Sequence, residues 1–231
     1  MRSTRYNVYK KTTRHTLVSG WIIALGVLLG NQVLAGNILG SAHDFATQGF
    51  TGRQTCVVCH TPHSPDTNNI QTPLWNHKAI QESFTMYSSG ATAISGQPNG
   101  VSKLCLSCHD GTVAIDSFGG TTGASFVSGP SSTGKQGAFN DDHPISINFD
   151  SALAITNAAL HDPTTRTVTI GAGSDKPRSG TVATLMLSNG IVQCSSCHDV
   201  HNNFAVPGDN GRPLLKVSKA GSSICLTCHN K

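Results

Sequence analysis

Cysteine and histidine recur in this chain in one fixed order. The string C-x-x-C-H occurs as Cys56–His60, Cys105–His109, Cys194–His198 and Cys225–His229, and together these use all eight cysteines of the 231 residues. The pattern is that of covalent haem attachment: two thioether bonds fix the haem vinyl groups to Cys56 and Cys59, Cys105 and Cys108, Cys194 and Cys197, or Cys225 and Cys228. The adjacent His60, His109, His198 or His229 then becomes the proximal iron ligand. C-x-x-C also serves zinc sites, dithiol redox centres and secreted disulfides. Zinc does not require a histidine after every second cysteine, and no cysteine is left over, so four haem c groups are the expected cofactors.

The remaining histidines bear on the sixth iron position. Removing an export signal, argued below, leaves ten histidines: the four proximal ones and His43, His63, His77, His143, His161 and His201. Four hexacoordinate irons need four more ligands, so the supply exceeds the demand by two, which points to bis-histidine ligation throughout. Methionine ligation would raise the potentials. Only Met86 and Met186 are available for it, and both read as packing residues.

Local chemistry ranks the six. His63 and His201 each follow a proximal histidine by three residues, a spacing that presents a second imidazole from the same short segment. Such an imidazole cannot reach the opposite face of its own haem, so it is expected to reach a neighbouring one. His143 sits in a rigid Asp-Asp-His-Pro turn, His77 follows Trp75, and His43 lies near the expected mature N-terminus. These five are the distal candidates, one more than the irons require. His161, in His-Asp-Pro, reads equally as an exposed loop residue.

The elements that must position these groups look sparse. Arg2, Arg5, Lys10, Lys11 and Arg14 precede an apolar stretch, Leu17–Leu29, and Val33-Leu34-Ala35 offers a small-residue cleavage site. Residues 1–35 thus read as an export signal; an uncleaved anchor is the alternative, with an apolar run shorter than the ~20 residues a spanning helix needs. Five of the 16 basic residues lie in that segment, which leaves 11 against 12 acidic side chains, a formal charge of −1. The basic balance belongs to the leader, and no basic patch with interleaved aromatics supports nucleic-acid binding.

Residues 36–231 are expected to form one domain, mostly irregular coil with short helices and a few short strands, centred on haem because the chain has little apolar surface to offset its ordering entropy. Ala152–Leu160 reads as a short helix, and one helical turn is expected before each haem histidine. Arg166–Ile170 reads as a strand. Leu185–Leu187 and Ile191–Gln193 read as a hairpin around Ser188-Asn189-Gly190. A duplication is visible: C-V-V-C-H-T-P-H and C-S-S-C-H-D-V-H are each followed by a plain C-x-x-C-H. The chain parses as haem pairs 36–120 and 141–231. The segment of about 121–140 joins them, and its Gly- and Ser-rich part, Thr121–Gly137, reads as a loop of low stability.

At C-V-V-C-H-T-P-H with P-L-W-N-H, and at C-S-S-C-H-D-V-H-N with Pro213-Leu214-Leu215 and C-L-T-C-H, the chain resembles multihaem c-type cytochromes. It is similar in particular to the tetrahaem outer-surface cytochromes of metal-reducing bacteria that polymerise into conductive filaments. The resemblance implies electron transport without catalysis, secretion to the cell surface, and a homopolymer in which an axial histidine, His63 or His43, is donated between subunits. Other redox proteins and extracellular acceptors are the further partners it implies. A soluble periplasmic shuttle of the same chemistry is the alternative. A multihaem nitrogen-oxide reductase would need an iron with an open position, whereas all four motifs are regular and the spare histidines can fill every site.

Overall fold

Between the motifs the chain is built from glycine, serine and threonine, which favour turns over long regular elements. The computed structural model describes residues 38–65, 74–88, 96–204, 206 and 214–231. The expected export signal, residues 1–35, lies outside them. Residues Ala35–Lys231 form one compact unit. Among the described residues no helix is long and apolar enough to cross a membrane.

Helix α1, Gly100–His109, is the longest described helix and carries the whole second motif at its C-terminal end. It buries Leu104 and Leu106 together with Ser102 and Ser107. The buried serines are not idle polar groups, because each hydroxyl accepts a backbone N–H from another segment: Ser102 from Cys194 at 2.9 Å and Ser107 from Ile80 at 3.2 Å. The remaining helices are single turns or little more: α2 (Ser151–Thr156), α3 (Val182–Leu185), α4 (Cys194–Cys197) and α5 (Ser223–Leu226). Asp150 caps α2 by accepting from Leu153 N–H, and Thr181 and Thr184 cap α3 reciprocally. Helix α2 ends four residues before the Leu160 expected from the sequence.

Three two-stranded sheets complete the regular structure. Strands β1 (Thr85–Met86) and β2 (Ala138–Phe139) pair in parallel; β3 (Ile147–Asn148) pairs antiparallel with β6 (Ile191–Val192), and β4 (Thr167–Ile170) with β5 (Arg178–Thr181). The expected strand at 166–170 is therefore present, with Thr167 opposite Thr181 and Ile170 opposite Arg178. The expected hairpin needs correction. Its turn forms, with Asn189 and Gly190 both at positive φ (52° and 76°) and Ser188 bridged to Ile191. However, Leu185 ends helix α3, and Ile191–Val192 takes β3 as its partner. The capping of α3 and the apolar burial of Ile147 outweigh the local hairpin preference.

Two apolar clusters form the core, the second of them joining residues of both halves. One gathers Phe149, Val168, Ile170, Val182, Met186 and Val217; the other gathers Ile80, Phe84, Leu106, Phe139 and Ile145. The polypeptide thus contributes cores of its own, more than its composition suggests. Met186 is buried in the first, and Met86 packs against the second. Gly134 (φ 63°) lets the chain cross Phe139, where an added Cβ would lie 2.7 Å from the ring.

Candidate haem-ligand sites

Three of the four proximal histidines are fixed by the same main-chain clamp. In each, one helical turn is closed from the histidine N–H to the carbonyl of the motif's first cysteine: His60 to Cys56 at 2.9 Å, His198 to Cys194 at 3.0 Å, His229 to Cys225 at 2.9 Å. A remote residue then pairs antiparallel with the histidine: Trp75 with His60, Leu215 with His198, and Leu160 with His229. Two hydrogen bonds close each bridge. Thr61 N–H donates to Leu74 C=O (2.9 Å) and Asn76 N–H to Cys59 C=O (3.0 Å). The equivalents are Asp199 to Leu214 (2.8 Å) with Lys216 to Cys197 (2.9 Å), and Asn230 to Ala159 with His161 to Cys228 (both 2.8 Å).

The first two clamps share a further detail. Leu74 and Leu214 both adopt left-handed backbone conformations, at φ 59° and 62°. Leucine is disfavoured there, so the surrounding contacts hold each in place.

The second motif is held differently, since its histidine closes helix α1. His109 Nδ1–H donates to Ser131 C=O at 2.6 Å, and Thr133 N–H donates to His109 C=O at 2.8 Å. Nδ1 donation to a carbonyl fixes the tautomer and leaves the Nε2 lone pair for a metal. The segment expected to be a loop of low stability therefore carries a second-sphere contact to His109.

Three of the distal candidates lie close to a motif histidine. Ring centroids are 6.3 Å apart for His60 and His201, 5.9 Å for His109 and His43, and 6.3 Å for His229 and His143. An iron held at about 2 Å by each of two opposed imidazoles leaves their centroids roughly 6 Å apart. His143 Nδ1–H donates to Pro144 C=O at 3.0 Å, which again presents Nε2. His43 also lies near His198 and His201, and burial followed by these imidazole charges lowers its pKa to about 4. Its Nδ1 is buried with no hydrogen-bond partner.

The other candidates differ. His63 is exposed. His77 is 1% exposed, with Nδ1 and Nε2 each 3.0 Å from a carbonyl, of Lys78 and Ala114. A neutral imidazole can donate to only one of these, and burial lowers the His77 pKa. Its Nε2 is also 3.4 Å from Cys108 Sγ. His161, weakest on sequence grounds, stands beside Leu160 in the clamp at the fourth motif and helps lower the His229 pKa, an effect led by burial and His143.

The cysteines cluster along the site. None is in a disulfide. The Cys105 thiol donates to Cys194 Sγ, which lowers the Cys194 pKa to about 7 and raises that of Cys105. Burial pushes Cys108 up to about 12 and Cys59 to about 11, and Cys59 also raises Cys108. Cys197 is pushed to about 11, first by burial and then by Cys228. Among the described residues no group of three or more His, Cys, Asp or Glu side chains is arranged to hold a bare metal ion. Six of the histidines instead lie in three pairs. Trp75, 8% exposed, has its Nε1–H buried without a partner, beside the His60 ring.

Sequence reading did not anticipate Ser131, Leu160 or the clamp partners, although Pro-Leu before both Trp75 and Leu215 was a signal. The chain matches no known family model, and no curated protein is significantly similar to it.

Proposed function

We propose that this chain is an exported, non-enzymatic electron carrier with four covalently attached bis-histidine haems, working as a subunit of a conductive filament. The carrying observation is the trio of proximal–distal ring pairs at 5.9–6.3 Å, beside four C-x-x-C-H motifs. Bound haem would supply one-electron redox chemistry at its iron. The four cysteine pairs would anchor it, and His60, His109, His198 and His229 would serve as proximal ligands. His201, His43 and His143 would close the opposite faces at the first, second and fourth motifs, and the iron at the third would take its second histidine from another copy of the chain. The clamps fix the imidazoles beforehand, so little rearrangement accompanies a change of iron charge.

His63, exposed and not needed for the three ring pairs, would be the donor to a second copy of the chain, and donation from it would tie assembly to haem loading. Intact mass spectrometry of the exported protein tests the reading: four haem masses are expected on the polypeptide 36–231. The paramagnetic resonance spectrum of the oxidised form should be low-spin throughout. A haem-free mass, or bound zinc, overturns it. A stoichiometric high-spin iron that binds nitrite would replace the carrier with a reductase.

A further inference from the structure

Gln193, 3% exposed, precedes the third motif and reaches back across the fold to the helix of the second. Its side-chain oxygen accepts from Ser102 N–H at 2.8 Å, and its side-chain nitrogen donates to Asn99 Oδ1 at 2.9 Å. The Gln193 N–H donates to Ser196 Oγ at 2.9 Å, and Cys194 N–H to Ser102 Oγ at 2.9 Å. Asn99 N–H donates to Ser146 Oγ at 3.0 Å, and Ser146 N–H to Val192 C=O at 2.7 Å. Ser102, Ser146 and Ser196 are themselves buried. Both polar atoms of the Gln193 side chain are satisfied, which a buried amide requires.

We propose that this polar joint is a positioning device: it sets the separation of the second and third haems, and with it the electron crossing between the two halves of the chain. The proposal rests on the four-haem reading. Ser102 and Cys105 are three residues apart on α1 and so share a face. Because Ser102 Oγ holds Cys194 N–H, the same face brings Cys105 against Cys194. One cysteine anchors the second haem and the other the third, so the two macrocycles start from adjoining sulfurs.

An apolar contact would hold the helices together without specifying their register, whereas directional bonds to Gln193 allow one register. A fully satisfied polar network in a small core is the arrangement suited to a fixed geometry. The crossing itself is a one-electron exchange: one iron is oxidised as its neighbour is reduced, with no bond made or broken and no proton moved.

The test uses the haem-loaded protein and three variants, Gln193→Ala, Gln193→Glu and Asn99→Ala. The readouts are intact mass, Soret circular dichroism for coupling between neighbouring haems, and potentiometric titration. Wild type is expected to show a bisignate Soret couplet. Gln193→Ala should keep four low-spin haems but lose most of the couplet and shift at least one potential. Gln193→Glu, which retains the acceptor for Ser102 N–H, should recover part of the couplet, and Asn99→Ala should fall between wild type and Gln193→Ala.

A wild-type couplet and unchanged potentials in Gln193→Ala would overturn the proposal, as would four haems with no couplet in wild type, or a Glu variant no better than Ala. If Gln193→Ala fails to load haem, the exposed Asn99 decides: a loaded Asn99→Ala protein with wild-type couplet and potentials refutes the joint. A wild-type protein without haem refutes the four-haem reading itself.

Discussion

His60 and His201 lie with ring centroids 6.3 Å apart and planes within 16° of parallel, one from the first motif and the other three residues past the third. The histidine that follows the third motif therefore lies against the histidine of the first. His201→Ala should leave four covalent haems by mass but convert one iron to a high-spin, cyanide-binding form. A fully low-spin spectrum in this variant would remove His201 from the ligand set.

His63 occupies the equivalent position after the first motif and is exposed, as His201 is. His63→Ala is expected to keep four haems attached and to shorten or abolish filaments in electron micrographs, with one iron per chain becoming high-spin. Filaments of wild-type length with an unchanged spectrum would show that His63 bridges nothing. Loss of filaments in His43→Ala alone would move the role to that residue.

Acid should act first on the segment that carries His43. Burial lowers the His43 pKa from 6.5 to about 4, so the unfolded chain takes up this proton before the folded one does. Stability from this group is complete above about 6.5 and is lost as pH falls toward 4. Iron at the imidazole opposes protonation in the same direction. Asp44 adds to the effect: the Gly40 N–H lowers its pKa, with Ala46 N–H and Thr55 Oγ1–H also donating, so its contribution is lost as pH falls through its folded value. A pH titration of the oxidised protein should then show one haem turning high-spin at the acid end before the rest. Simultaneous loss of all four would contradict this.

Gly134 offers a test of the fold apart from haem. Alanine there would put its Cβ 2.7 Å from the Phe139 ring and 3.0 Å from that of Phe84, at a φ of 63° that favours glycine. The expected cost is about 1–3 kcal/mol, from overpacking and backbone strain together. A lowered thermal midpoint with four haems still bound is the expected result, and an unchanged midpoint would show that the ring shifts freely.

The candidate site was legible because it depends on side-chain type at fixed spacing: Cys and His in C-x-x-C-H cannot be replaced without losing the signal. The short strand at 167–170 and the Asn189-Gly190 turn were legible for similar reasons, one from alternation of branched residues and the other from a demand for positive φ. The clamps were not, because they are made of N–H and C=O groups that every residue except proline possesses. Gln193 was equally silent in the sequence. A lone glutamine before a motif reveals nothing until Asn99 and Ser102, far away along the chain, arrive beside it. Leu185 shows the opposite failure, where a local strand pattern yielded to the reciprocal Thr181–Thr184 cap.

The clamp also separates anchoring from tuning. Its bonds run from main chain to main chain, so the residue opposite each proximal histidine is free to differ, and it does: tryptophan at 75, leucine at 215 and at 160. Trp75 and Leu215 are buried, while Leu160 is only partly so. Burial and hydrogen bonding around an iron are what set its potential. On the four-haem proposal, a substitution at these three positions would move one step of a potential ladder without disturbing the ligand that the step depends on. A duplicated motif held this way can diversify electrically while remaining mechanically the same.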